Sequence, residues 1–178
     1  MKYFDELKRA MEWLAGRPDT LFLGQAVEVP GTAMSNTLRD VEPEKLVEMP
    51  VAEEFQMGLS IGMALNGTVP ISIFPRWNFL LLATNQLVNH LDKIPVYSHG
   101  ALTPKVIIRT AIGSERPLDP QIQHTGDFTE AFRAMLKNVD VVRLEEPEEI
   151  FAAYQFAYKR TDHRSTILVE YGDYYNEK

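Results

Sequence analysis

Glu53, Trp77, Phe79 and His124 are the side chains whose types and placement suit chemistry on a flat, ring-shaped ligand. Glu53 lies in Met49-Pro50-Val51-Ala52-Glu53-Glu54-Phe55, where a strand gives way to a helix carrying Gly58 and Gly62 one turn apart. Two such glycines would let that helix approach another backbone closely. A carboxylate in a helix's first turn is ordinarily explained by the helix dipole alone, so Glu53 gains meaning only from what surrounds it. Trp77 and Phe79 flank a corner at the end of the run Pro70 to Phe79. Most aromatics are core residues, but at a strand-to-helix corner a ring can stack on a heterocycle. His124 is one of four histidines and alone sits in the long loop after a β-rich run, where an imidazole can move protons near neutral pH.

The elements that must position these residues are visible as pattern. Tyr3, Phe4, Leu7, Met11 and Leu14 recur at helical spacing, so residues 2–15 are predicted as an amphipathic helix, with Gly16 as a left-handed cap. Apolar or β-rich runs at Thr20 to Leu23, Leu46 to Met49, Val69 to Phe74, Val106 to Thr110, Val139 to Leu144 and Thr166 to Glu170 are strand candidates. Helical segments at Glu53 to Leu65, Asn78 to Leu91, Phe128 to Leu136 and Pro147 to Lys159 fall between them. Asn66-Gly67 follows the first of these and is expected to close that helix rather than make a hairpin. Several strands are apolar along their whole length, as happens when helices cover both faces of a parallel sheet. The expectation is one α/β domain over residues 1–178, a doubly wound, mostly parallel sheet of about six strands with helices on both faces. Two long irregular stretches, Gln25 to Glu42 and Ala111 to Asp127, are candidates for functional loops.

Composition narrows the function. With 45% hydrophobic residues the chain can bury one ordinary core. A net charge of -7 without a clustered basic face argues against nucleic acid and anionic membranes. The chain has no cysteine, which removes disulfides, thiolate nucleophiles and cysteine metal sites. The first residues show no export signal, and no apolar run reaches the roughly 20 residues of a bilayer span, so a soluble, cytoplasmic protein is expected. The acidic residues show no metal-site spacing.

In order and spacing, these stretches resemble the beta subunits of the decarboxylase component of 2-oxo-acid dehydrogenases and, more broadly, transketolase-type pyrimidine-binding domains. The resemblance runs from Leu21 to Glu170. It rests on Leu23-Gly24, Pro50-Val51-Ala52-Glu53 with Gly58 and Gly62, Pro70 to Phe79, Asn85-Gln86-Leu87-Val88-Asn89, Ile107-Ile108-Arg109, Gln123-His124 and Val141-Val142. It implies thiamine diphosphate as cofactor and carbon-carbon bond cleavage or formation next to a carbonyl, with the cofactor ring as electron sink. Glu53 is then the residue that hydrogen-bonds the N1′ nitrogen of the aminopyrimidine and promotes its imino tautomer. Phe79 packs on that ring, Trp77 is a second wall or a core residue, and His124 faces the substrate. Arg109 stands between two roles, contact with an anionic substrate and a structural ion pair.

The same resemblance implies a partner. The Gly-Asp-Gly stretch and later asparagine that hold magnesium and diphosphate in the family have no counterpart in these residues. A diphosphate-binding, alpha-type subunit is therefore expected to hold the Mg²⁺, in a heterotetramer with two copies of each chain. Self-association through the pyrimidine domains is expected along Asn78 to Leu91, whose apolar run Phe79 to Ala83 would otherwise be partly exposed. The family's additional C-terminal domain is not expected in this chain. Gln25 stands where the dehydrogenase subunits commonly have a carboxylate, and an amide cannot relay protons between sites. Two alternatives remain beside 2-oxo-acid decarboxylation: a ketose-cleaving, transketolase-type subunit and a non-catalytic scaffold. A flavodoxin-like nucleotide binder is disfavoured, because Gly24 to Gly31 places a glutamate and a proline where a phosphate cradle needs backbone amides.

Overall fold

The computed structural model describes residues 2–29, 32–116 and 119–177. Six strands, β1 (Thr20–Gly24), β2 (Leu46–Glu48), β3 (Val69–Phe74), β4 (Ile107–Ile112), β5 (Val139–Arg143) and β6 (Ser165–Tyr171), form one sheet in the order β2-β1-β3-β4-β6-β5. Every pairing is parallel, so the expected mostly parallel sheet is wholly so. The chain leaves β1 for β2 on one side and returns to β3 on the other. That reversal opens a crevice at the carboxyl ends of β1 and β3, the place where open α/β sheets receive ligands.

The strands are apolar on both faces because both are covered. Along β4, Ile107 and Ala111 point to one core and Ile108 to the other, as strand alternation demands. The first core packs α1 (Tyr3–Ala15) and α7 (Pro147–Lys159) on the sheet through Leu7, Leu14, Ile150 and Tyr154. The second packs α3 (Glu53–Leu65) and α6 (Thr129–Met135) through Met57, Ile61 and Phe132.

Local chemistry explains where the elements end. Asn66-Gly67 closes α3, with Gly67 at φ 93° and the Thr68 amide donating to the Met63 carbonyl at 3.1 Å. Gly16, by contrast, is not left-handed: its φ is -70°. The Leu14 carbonyl is instead taken by the Thr20 hydroxyl at 2.7 Å and the Arg17 amide at 2.9 Å, so no left-handed cap is required. The segment Asn78 to Leu91 is not one regular helix. It divides into α4 (Trp77–Leu80), a 3-10 turn (Leu81–Ala83) and a π-helical stretch (Gln86–Leu91). The wider winding keeps Leu80, Ala83, Leu87 and Leu91 all buried on one side, so the apolar periodicity reports the face correctly and the hydrogen-bond pattern incorrectly. The short helices α2 (Ala33–Asn36), α5 (Ile94–Tyr97) and α8 (Tyr174–Glu177) lie outside the predicted segments.

Arg109 on β4 takes the structural of its two roles. Its side chain is fully buried, donating from Nε to Glu170 Oε1 at 2.5 Å, from Nη2 to Glu170 Oε2 at 3.1 Å and from Nη1 to Thr37 Oγ1 at 2.8 Å. Tyr154 donates to Glu170 Oε1 at 2.5 Å, and Tyr175 donates to Oε2. Burial acts against the charge of Arg109, but the Glu170 carboxylate more than offsets it and the guanidinium stays protonated. Burial, reinforced by Glu170, raises both tyrosines, which keeps them as donors. The expectation of a substrate contact at Arg109 is corrected accordingly, since no edge of the side chain reaches solvent.

Two stability measurements follow. Arg109→Met leaves Glu170 buried and unpaired, and is expected to lower the unfolding free energy in urea by about 3–5 kcal/mol, with Glu170→Leu added restoring much of the loss. A Cβ on Gly24 would press into the Ile73 carbonyl oxygen, whereas one on Gly58 meets nothing within 4 Å. Gly24→Ala should therefore cost about 1–3 kcal/mol in the same assay, while Gly58→Ala in a helix interior should be neutral or stabilising by up to ~1 kcal/mol.

Candidate active site

Glu53 is positioned by the helix it begins. One turn on, the buried Gln56 donates from Nε2 to the Ile73 carbonyl at 2.9 Å, Ser72 Oγ at 3.1 Å and the Leu23 carbonyl at 3.4 Å. Ser60 adds a bond to Ser72 Oγ at 3.0 Å. The first turn of α3 is thereby keyed to the ends of both β1 and β3. Glu53 itself is only 4% exposed. Among the described residues its carboxylate receives one hydrogen bond, from Gln25 Nε2 at 3.1 Å.

Gln25 is held in turn by the loop after β1. Glu48, at the end of β2, accepts from the amides of Ala26, Val27 and Glu28 at 2.6, 2.9 and 2.9 Å. These are the amides a phosphate would need, and a carboxylate already occupies them. The loop after β1 thus serves to place Gln25 and offers no anion cradle.

A cleft of about 300 Å³ opens at the carboxyl end of the sheet, lined among others by Gln25, Arg76, Phe79, Ser114 and Tyr175. Phe79 is half-buried and its ring lies 5.1 Å from that of His124, tilted by 43°. His124 is half-buried too, and its Nδ1 is buried with no hydrogen-bond partner. Phe79 and Gln25 thus line the cleft, His124 lies against the ring of Phe79, and Glu53 is one hydrogen bond from Gln25. Trp77 does not join them. It is fully buried against Phe132, with ring centroids 4.9 Å apart, so it is a core residue and not a wall of the site.

Arg76 and Gln25 are site residues that sequence reasoning did not assign to ligand contact. Arg76 follows β3 directly, and its Nη1 donates to the carbonyls of His124 at 3.0 Å and Ser114 at 3.3 Å. A cation immediately beyond the carboxyl end of a central strand is a signal of the kind that singled out its neighbour Phe79. Tyr175 carried no such signal, because it reaches the cleft from α8 only through its place over the Arg109–Glu170 pair.

The chemistry available here is that of a buried carboxylate with acceptor capacity to spare, an aromatic face and an imidazole, in and beside an open cleft. Such a set suits a flat heterocycle with ring nitrogens that share protons. Among the described residues no group of three His, Asp or Glu side chains is placed to hold a metal ion, and no helix is long and apolar enough to cross a membrane.

Comparison with known proteins agrees with this chemistry. Residues 3–176 match the family described as transketolase, pyrimidine binding domain. The chain is 27% identical over 180 aligned positions to the pyruvate dehydrogenase E1 component subunit beta of Gracilaria tenuistipitata var. liui, covering 98% of this chain and 54% of that protein. It is 28% identical to the 2-oxoisovalerate dehydrogenase subunit beta of Bacillus subtilis (strain 168), over 64% of this chain and 36% of that one. A solved structure described as a split gene transketolase, inactive beta4 tetramer, superposes with a TM-score of 0.72 at 16% identity, over 94% of this chain and 50% of that chain. At that identity the likeness speaks to the fold. The chain spans about half the length of the first of these relatives. A match across nearly the whole chain, on a wholly parallel sheet with its crevice at the ends of β1 and β3, makes this protein a member of the transketolase pyrimidine-binding domain family.

Proposed function

We propose that this chain is the pyrimidine-binding half of a thiamine-diphosphate-dependent enzyme acting on a 2-oxo acid, with the diphosphate and its Mg²⁺ held by a separate, alpha-type subunit. The observation that carries the reading is Glu53, a buried carboxylate with one hydrogen bond among the described residues, received from Gln25, which lines the same cleft as Phe79. The residues fit an aminopyrimidine: a carboxylate oxygen for a ring nitrogen, and an aromatic face for the ring plane. When bound, the cofactor would supply the electron sink that the bond cleavage needs.

The protein's own side chains have separable roles in this reading. Glu53 shares a proton with the pyrimidine ring nitrogen, and Gln25 holds the carboxylate in place from the side away from the helix. Phe79 orients the ring. His124 carries an uncommitted Nδ1, suited to moving a proton to or from the substrate-derived oxygen. Gln25 in place of a carboxylate gives no path for proton exchange between paired sites, so each site is proposed to act independently.

Self-association is part of the same proposal, as is assembly of two copies with two partner subunits. Leu81 and Leu82 are 37% and 57% exposed beside α3, whose Phe55 and Leu65 are 58% and 44% exposed, with Val51 just before the helix at 81%. Gly58 and Gly62 open the same helix to a close neighbour: beyond the helix's own adjacent backbone, nothing among the described residues lies within 4 Å of a Cβ at either. This apolar surface supports pairing through α3 together with the Trp77–Leu91 segment.

Turnover tests the reading directly. Pyruvate decarboxylation should require thiamine diphosphate and both subunits, and Glu53→Gln should reduce it by at least ~10³-fold with an unchanged circular dichroism spectrum, since a side-chain amide cannot exchange the proton. Near-normal turnover in that variant would remove Glu53 from the mechanism. Cofactor-independent behaviour of the mixture would point to a scaffold, and activity with a ketose but no 2-oxo acid to the transketolase type. For assembly, Phe55→Asp should shift the purified chain toward monomer in sedimentation, with secondary structure retained.

A further inference from the structure

We propose that the Nε–Nη2 edge of Arg76 is the docking point for the anionic group of the substrate, and so selects carboxylate or phosphate-bearing substrates over neutral carbonyl compounds. This inference rests on the reading of the cleft as the active site. Arg76 lines that cleft with Phe79 and Gln25. Its Nη1 is committed to the carbonyls of Ser114 and His124. Those two bonds orient the guanidinium, and among the described residues Nε and Nη2 make no hydrogen bond and the group forms no ion pair. The unused edge is the one whose two parallel N–H groups match the two oxygens of a carboxylate or phosphate.

The electrostatics favour the same assignment. Burial disfavours the charged form of Arg76 and lowers it from the ordinary arginine range, while Asp173 is the carboxylate whose field partly supports it. A half-buried cation with no carboxylate in contact is a cost to the folded chain that a bound anion would relieve. The chain as a whole carries -7 and repels anions, so an anionic substrate needs a local cation to stay in the crevice. The same side chain braces the backbone of His124, which places the anion near the imidazole assigned to proton transfer.

Direct binding and kinetics give separate tests. In the full chain, the Arg76 Nε–H signal in ¹⁵N NMR, assigned by its loss in Arg76→Gln, is followed on titration with pyruvate, inorganic phosphate and acetaldehyde. A saturable shift with either anion and none with acetaldehyde is expected; the tighter anion identifies a 2-oxo acid or a phosphorylated sugar as the substrate type. No shift with either anion overturns the proposal. In the enzyme reconstituted with its diphosphate-binding partner, Arg76→Gln should raise KM for the anionic substrate roughly 10- to 100-fold, the worth of a charge-assisted hydrogen bond, with kcat changed less than about 3-fold. Arg76→Lys should recover part of the loss. A fall in kcat with KM unchanged would make Arg76 only a brace for His124 and overturn the proposal. If the wild-type mixture shows no turnover, the enzymatic reading fails, and the NMR titration still decides whether Arg76 binds anions.

Discussion

Everything at the crevice depends on how closely β1 and β3 approach each other at their carboxyl ends. Gly24 pairs with Ile73 across that boundary, and the space beside it admits no side chain. One amide, that of Gln56, then reaches into the same place and bonds to carbonyls on both strands. A glycine and a buried amide thus join the two strands at the point where the chain reverses, and the helix that carries the amide also carries Glu53. The Glu53 carboxylate is therefore set by backbone geometry, with the Gln25 amide as its one side-chain hydrogen-bond partner among the described residues.

A second constraint stabilises the other wall. The Arg109–Glu170 pair ties β4 to β6, and through Thr37, Tyr154 and Tyr175 it draws in the segment after α2, helix α7 and helix α8. A buried ion pair is weak evidence for net stability, because desolvation offsets most of the attraction. Its structural value lies in geometry: three residues converge on one carboxylate through four hydrogen bonds, and each residue fixes an element. Tyr175 is the residue that links this cluster to function, because it both donates to Glu170 and lines the cleft. Arg109 thus contributes to the site from beneath its wall, without facing it.

Much of this was legible in the residues, and the parts that were not share a cause. Fully apolar runs such as Val69 to Phe74 announce a strand covered on both faces, and β3 is buried along its whole length. Glu53 was legible because its spacing to the aromatic corner matched a family pattern. Trp77 and Phe79 stand two residues apart in the same corner, yet one is core and the other faces the cleft; α4 is only four residues long, and its winding decides which ring turns inward. Sequence has no handle on that rotation. Arg109 was ambiguous because its answer lies in Glu170, which is 61 residues away. The long segment after Trp77 misled for a related reason: apolar spacing reports which side is buried, and the change from α to 3-10 to π winding leaves that side intact.

The charge pattern around the crevice leaves two polar groups with capacity to spare. Glu48 neutralises the amides after β1, Asp173 lies within electrostatic reach of Arg76, and Gln25 partners Glu53 with an amide that carries no charge. Among the described residues Glu53 therefore has no counter-ion to hold it, and Arg76 keeps one edge of its guanidinium uncommitted. A chain that satisfied both groups internally would gain stability and lose its ligand sites, a trade seen where function opposes packing. The two uncommitted groups differ in kind, one an acceptor for a ring nitrogen and the other a donor fork for an anion. A crevice with both groups at hand is suited to a neutral heterocyclic ring and an anionic substrate side by side, while the loop after β1 has no amides left for a diphosphate.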